Sequence, residues 1–191
     1  MFNVSGPLTA QMVAHILLMN VCAPMAALAC LRIWPLRRMP LAGLLFPAMI
    51  AQLTLLWAWH APPALDAAMR SHLLHLVMQA SLFLAAFWFW SAIFRISGHR
   101  RWRAIVALLI TSKIFCLLAV LFVFAPRRLY PGILSGHGAH LSTLADQQLA
   151  GLLMLAACPA TYVLAGIVIA VLWFDEISRL SAPDRMREAG A

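Results

Sequence analysis

Acidic residues are scarce in this chain, and long polar stretches are absent from it. Only 6 of the 191 residues are Asp or Glu, against 14 Lys or Arg, while 64% are hydrophobic. The mean hydropathy of +0.89 lies outside the range of ordinary soluble domains. Paired carboxylates, Walker loops, dinucleotide fingerprints and GxSxG or HExxH motifs are also missing from the sequence. The composition therefore predicts an integral membrane protein that is not an enzyme.

Cysteines are few as well, and none of the four belongs to a CxxC pair. Cys22, Cys30, Cys116 and Cys158 all fall inside apolar stretches, which argues against a disulfide framework. We interpret them as small buried hydrophobic residues.

Five apolar stretches are long enough to cross a bilayer, which takes roughly 20 residues of helix. They cover residues about 8–31, 41–59, 72–94, 104–125 and 147–174. The connections between them are short, and only 126–146 has room for structure of its own. The sequence predicts an all-α, polytopic membrane helical bundle in which residues 1–191 form a single domain.

Arginines are distributed unevenly between the predicted loops. Most follow the first, third and fifth helices, whereas the opposite side has Arg70, Arg127 and Arg128. By the positive-inside rule the richer side is cytoplasmic, so the N-terminus is outside and the C-terminus inside. The arginines are expected to contact anionic membrane lipid. Because they are spread over several loops, nucleic-acid binding is not expected.

Six of the seven histidines fall on the predicted outer side. These are His15, His60, His72, His75, His137 and His140, whereas His99 lies in a basic cytoplasmic run. An imidazole in a membrane segment is costly to bury without a partner, so each is a functional candidate. His72 and His75 are three residues apart and share one helix face, which makes them the sharpest candidates for metal or cofactor ligation.

Methionines accompany the histidines. Met69 and Met78 flank His72 and His75, and Met12 precedes His15 by three residues. Thioethers are soft ligands that suit Cu(I). The same pattern also fits packing, since Met fills irregular gaps and a histidine can hydrogen-bond between helices.

Three further polar residues lie inside or at the ends of predicted spans. Lys113, near the middle of the fourth span, either faces a polar cavity or extends its stem toward the membrane surface. Asp146 and Gln147 begin the fifth span, where a carboxylate can cap free N–H groups. Alternatively, they hold a histidine ligand in place.

Three blocks of the chain resemble the CtaG family of cytochrome c oxidase assembly factors. They are "QMVAHILLMNVCAPMAAL" at 11–28, "WAWHAPPALDAAMRSHLLHLVMQASLFLAAFWFW" at 57–90 and "LADQQLAGLLM" at 144–154. The family's characteristic residues correspond to Met12, His15, Pro24, His60, Pro62, His72, His75, Asp146, Gln147 and Gly151. Gln11 stands where members of the family often have a histidine.

The resemblance implies copper handling at the periplasmic face of a bacterial inner membrane, for insertion into a haem-copper oxidase. The implied Cu(I) ligands are His15, His60, His72 and His75, with Met12 as a soft auxiliary. Possible auxiliary or supporting residues are Asp146, Gln147, His137, His140 and Met69. The implied partner is an oxidase subunit or a periplasmic copper carrier. Two alternatives stay open, namely a single-haem electron-transfer protein with two axial histidines and an assembly scaffold without metal.

Overall fold

The fold is seen in a computed structural model, which describes residues 6–33, 41–130 and 143–188. Within these ranges the chain is helical and contains no strand. The α-helical segments are α1 (Pro7–Leu17), α2 (Ala23–Ile33), α3 (Leu45–His60), α4 (Pro62–Arg70), α5 (His72–Ile93), α6 (Arg101–Phe124) and α7 (Thr143–Glu188). The prediction of an all-α helical bundle is confirmed.

Four helical stretches of the described chain are long and apolar enough to cross a membrane. They are Pro7–Arg32, His72–Ile93, Gly98–Phe124 and Leu144–Arg179, which correspond to four of the five predicted spans. Their outward faces carry large apolar side chains, such as Leu73 and Leu164, which are 71% and 62% exposed. Such faces suit lipid as the surrounding solvent, and the chain is a multi-pass membrane protein.

The second predicted span, 41–59, is shorter as an α-helix than expected. Residues Leu41–Leu44 form a 3₁₀ turn, and α3 has only 16 residues. Pro47 explains the late start, because its ring would clash with the carbonyl of Gly43 in an α-helix. The described chain therefore has four α-helices of spanning length rather than five. α3 still packs against α5 and α6.

A short helix, α4, occupies a connection that the sequence analysis left without structure. Ala61 is extended, with φ −60° and ψ 134°, as expected for a residue before proline. Pro62 thus ends α3 and also occupies the first turn of α4, where its missing N–H costs nothing. Leu65 and Ala68 of α4 are buried. The prediction that only 126–146 holds structure of its own is therefore wrong.

A π-helix at Leu18–Cys22 joins α1 to α2 within the first span. Pro24 explains its position, because proline lacks an N–H and crowds the carbonyl four residues earlier, that of Asn20. Trp90 Nε1 of α5 donates a hydrogen bond to the Met19 carbonyl oxygen at 3.2 Å. The irregular turn therefore anchors α5 to the first span.

The α6 and α7 helices make the most extensive helix contact of the bundle. α7 continues well beyond the predicted end at residue 174, and Glu176 pairs with Arg101 of α6 at 3.5 Å. At Gly151 a Cβ atom would lie 2.8 Å from Phe122 Cβ and 2.9 Å from the Ala119 carbonyl oxygen. The two helices therefore touch through their backbones at this glycine.

Replacing Gly151 with Ala is expected to destabilise the protein by about 1–3 kcal/mol, because two of the three nearest atoms are the Ala119 carbonyl oxygen and the Phe122 Cβ, which cannot turn aside. Unfolding by heat or denaturant in detergent micelles measures the change. Gly166→Ala is the matched control, since a Cβ there meets nothing within 4 Å. Equal stability of the two variants would contradict the close helix contact.

Candidate metal centre

His60 ends α3 and is 3% exposed. Its Nδ1 lies 2.7 Å from the Leu56 carbonyl oxygen, and because a carbonyl only accepts, Nδ1 carries the proton. The neutral ring then has its lone pair on Nε2, which lies 3.3 Å from Met12 Sδ of α1. The His60 nitrogen and the Met12 sulfur therefore face each other with their lone pairs, and no hydrogen atom lies between them.

Tyr130 and Phe122 hold His60 from the other side. The Tyr130 hydroxyl donates to the His60 carbonyl oxygen at 2.6 Å, and burial raises the pKa of the Tyr130 phenol. The phenol therefore stays protonated and remains a donor. The Phe122 ring lies 5.9 Å from the His60 ring and packs edge-on against Tyr130. The segment after α6 thus covers the end of α3.

His15 lies one turn after Met12 on α1, and its ring centroid is 5.5 Å from that of His60. Its Nδ1 donates to Gln79 Oε1 at 3.0 Å, while its Nε2 accepts from Gln11 Nε2 at 3.1 Å. Gln79 Nε2 in turn lies 3.4 Å from His75 Nε2. These four side chains form a hydrogen-bonded chain from α1 to α5.

A small cavity adjoins the two buried imidazoles. Its free volume is about 10 Å³, close to what one water molecule needs. The residues that line it are His15, Ile16, Met19, Asn20, Leu56, His60, Phe115, Met154 and Cys158. A single ion or water fits there, whereas a porphyrin does not.

The histidines predicted as ligands are not gathered into one group. His72 is exposed in the first turn of α5, and half-buried His75 is linked to His15 through Gln79. In the described ranges, no three His, Cys, Asp or Glu side chains lie close enough to hold a metal. A metal site that includes His15 and His60 therefore needs the thioether sulfur of Met12 as its third ligand atom.

The remaining candidates lie away from this cluster or outside the described residues. Met69 is partly buried and packs against the hydrophobic core. Lys113 is exposed on α6, which agrees with a stem that extends along the lipid face rather than into a cavity. His99 is exposed. His137 and His140 fall in 131–142, outside the described part of the chain.

Asp146 caps a helix, but the helix is α1 rather than its own. Its Oδ2 accepts from Leu8 N at 3.0 Å and its Oδ1 from Thr9 N at 3.1 Å. The Thr9 hydroxyl donates to Oδ1 at 2.5 Å. The carboxylate is 1% exposed and packs so closely on Gly6 that a Cβ there would overlap it. Asp146 therefore acts as a helix cap, but it caps the start of α1 instead of the start of α7.

Gln147 fastens the end of α6. Its Oε1 accepts from Leu129 N at 2.8 Å, and its Nε2 donates to the Phe122 carbonyl oxygen at 3.3 Å. These bonds hold the segment that carries Tyr130, so Gln147 acts on the site through Tyr130. The alternative that Gln147 directly orients a histidine finds no support in these bonds.

Gln79 and Tyr130 contribute to the site but were not among the residues predicted from the sequence. Each is a polar side chain in or next to an apolar stretch, where it must find a partner within the bundle. Gln79 also stands four residues after His75, one turn further along the same face. That spacing was the signal for the hydrogen-bonded chain.

The part of the chain that the structure describes has four helices of membrane-spanning length and a buried cluster of histidine and methionine, as expected for a multi-pass membrane protein with a polar site in its core. A family profile described as cytochrome c oxidase caa3 assembly factor (Caa3_CtaG) matches residues 7–176. The chain belongs to this family, and the resemblance of the three sequence blocks is confirmed. Its role is thus in oxidase assembly. No match was found among curated proteins or solved structures.

Replacing Asp146 with Asn is expected to destabilise the fold by about 1–3 kcal/mol, because the cap loses its charge and the new NH₂ group cannot accept. Thermal unfolding in detergent measures the loss. Asp66→Asn is the control, since Asp66 pairs with exposed Arg70 on the same helix and such pairs contribute about 0.5 kcal/mol or less. Similar losses in the two variants would contradict the capping role.

Proposed function

We propose that this assembly factor binds Cu(I) through Met12, His60 and His15, whose Nε2 gives up the hydrogen bond from Gln11 to bind the ion, and that it supplies the ion to a haem-copper oxidase. The observation that carries the proposal is the 3.3 Å separation of His60 Nε2 and Met12 Sδ. Zinc bonds of about 2.0 Å to histidine nitrogen and 2.3 Å to cysteine sulfur set the scale of such contacts, and on that scale one ion can contact both atoms. Imidazole and thioether donors favour a soft ion such as Cu(I).

The histidines of α5 suggest how the ion reaches this site. His72 is exposed at the start of the helix, and His75 connects through Gln79 to His15. An ion that first meets the surface imidazole can pass inward by exchange of neutral ligands. In this scheme His72 is an entry residue, whereas Met12, His15 and His60 hold the bound ion.

The arginine distribution favours the periplasmic side of a bacterial inner membrane for this end of the bundle. A periplasmic copper carrier is then the donor, and the outer part of an oxidase subunit is the acceptor. Lipid surrounds the apolar faces. The proposed step is ligand exchange, with no covalent chemistry on a substrate, so the protein is not an enzyme in this account.

A single haem is the rival occupant, and the cavity beside the imidazoles argues against it. Its volume of about 10 Å³ has no room for a macrocycle, whereas a single ion would fit. A scaffold without metal is the other rival. A scaffold would not need two lone-pair atoms that face each other without a hydrogen bond, yet Met12 Sδ and His60 Nε2 are such a pair.

Copper binding separates these functions. Protein purified in detergent and loaded anaerobically with Cu(I) is expected to retain about one copper per chain, the content that a single site holds. His60→Ala and Met12→Leu are expected to weaken binding by roughly tenfold or more, because each removes a ligand. Metal content by mass spectrometry and competition with a Cu(I) chelator measure both quantities.

Two histidine variants serve as controls for this experiment. His99→Ala removes an exposed imidazole on the predicted cytoplasmic side, and His72→Ala removes the exposed imidazole of α5. Both are expected to keep the bound copper, and thermal unfolding checks that every variant folds. Wild-type protein without copper, or full retention in His60→Ala, would contradict the proposed function.

A further inference from the structure

A second cavity lies at the opposite end of α3 from His60. It is formed by the connection between α5 and α6 together with the 3₁₀ turn that precedes α3. Its free volume is about 110 Å³, which suits a group of several heavy atoms better than a single water molecule. We call it the arginine pocket. The residues that line it are Gly43, Arg95, Ile96, Ser97, Arg100 and Arg103.

The arginine pocket carries positive charge that no ion pair offsets at two of its arginines. None of the residues that line it is acidic. Glu176 of α7 reaches the same end of α6, but its carboxylate pairs with Arg101 at 3.5 Å, and Arg101 does not line the pocket. Among the side chains that the structure describes, no carboxylate lies within 4 Å of Arg100 or Arg103. An anion in the pocket would therefore meet guanidinium groups without a competing partner.

The start of the spanning stretch Gly98–Phe124 favours an anion at the same place. Ser97 precedes this stretch, but its side chain makes no capping hydrogen bond, and no acidic residue lies in the first turn. By contrast, Asp146 caps α1 and the Ser71 hydroxyl caps α5. An uncapped helix start presents N–H groups and the positive end of the helix dipole, to which phosphate oxygens bind.

The arginine pocket lies at the level of the lipid headgroups. One spanning stretch, His72–Ile93, ends before it, and the next, Gly98–Phe124, begins beside it. Trp102 is 46% exposed, and the centre of its ring lies 5.6 Å from Arg103 Cζ. Exposed tryptophan at the end of a span is typical of the membrane surface. Because arginines are concentrated on this side, the positive-inside rule places the pocket at the anionic cytoplasmic surface.

We infer that the arginine pocket binds the phosphate group of an anionic membrane lipid, with Arg100 and Arg103 on the phosphate oxygens. Guanidinium groups bind phosphate through paired N–H···O bonds. The acyl chains of the same lipid lie along the apolar outer faces of the neighbouring helices. A lipid held in this way fastens the connection between α5 and α6 to the membrane surface. The inference is independent of copper, because His60 lies at the other end of α3.

Native mass spectrometry of the detergent-purified full chain tests the inference, because a bound lipid adds its own mass to that of the protein. Titration with dioleoyl phosphatidylglycerol is expected to show one lipid that binds more tightly than any further lipid. The double variant Arg100→Gln, Arg103→Gln is expected to weaken this binding roughly tenfold or more, since each arginine near a membrane surface adds to the attraction for anionic lipid. Dioleoyl phosphatidylcholine has the same acyl chains without net charge and is expected to bind more weakly to the wild type.

Two further variants keep the test specific. Arg70→Gln, Arg179→Gln removes the same charge from two arginines that form ion pairs outside the pocket, and wild-type affinity for the lipid is expected. Gly43→Glu adds a carboxylate at the wall of the pocket, where a Cβ meets nothing within 4 Å. It is expected to weaken lipid binding without loss of stability. Thermal unfolding checks that each variant folds.

Three outcomes would overturn the inference. The first is an equal loss of lipid affinity in the pocket variant and in its charge-matched control. The second is wild-type affinity in Gly43→Glu, which decides the matter even if the double variant at Arg100 and Arg103 does not fold. The third is displacement of the lipid by an equal concentration of inorganic phosphate, because the pocket would then be a site for a free anion rather than for a lipid.

Discussion

The hydrogen bonds from the start of α1 to Asp146 are the interaction on which the site depends. They join the first span to the last, across 138 residues of sequence, through a carboxylate that is only 1% exposed. Leu8, Met12, His15 and Met19 follow one another on the buried face of the first span. Fixing the start of α1 therefore also fixes the depth and rotation of Met12 and His15 relative to His60.

The polar side chains around the site are linked to one another by hydrogen bonds. Gln11, His15, Gln79 and His75 are linked in one chain, and Gln147 and Tyr130 hold the outer segment. Two polar groups beside the cavity have sulfur atoms as their neighbours. His60 Nε2 faces the sulfur atom of Met12 rather than a hydrogen-bond donor, and the Asn20 amide contacts the Cys158 thiol.

Helix existence was predictable from apolar length, because bilayer thickness sets the number of residues in a span. Helix ends were less predictable. Pro47 places the start of α3 later than expected, and Pro62 both ends α3 and begins α4. For the site, sequence position gave the depth of each histidine but not its direction. The buried face of α5 runs through Met78, Leu82 and Phe89, and His72 lies six residues before Met78, about 120° around the axis. That rotation turns His72 outward, and only packing determines it.

The most direct test of the central claim measures copper in the oxidase itself. Cells that lack this protein are complemented with the wild-type chain or with the double variant Met12→Leu, His60→Ala, and the copper and haem contents of the purified oxidase are compared. If the protein supplies copper through this site, the variant yields oxidase that contains haem but little copper. An oxidase with its full copper content, made in cells that contain only the double variant, would contradict the account.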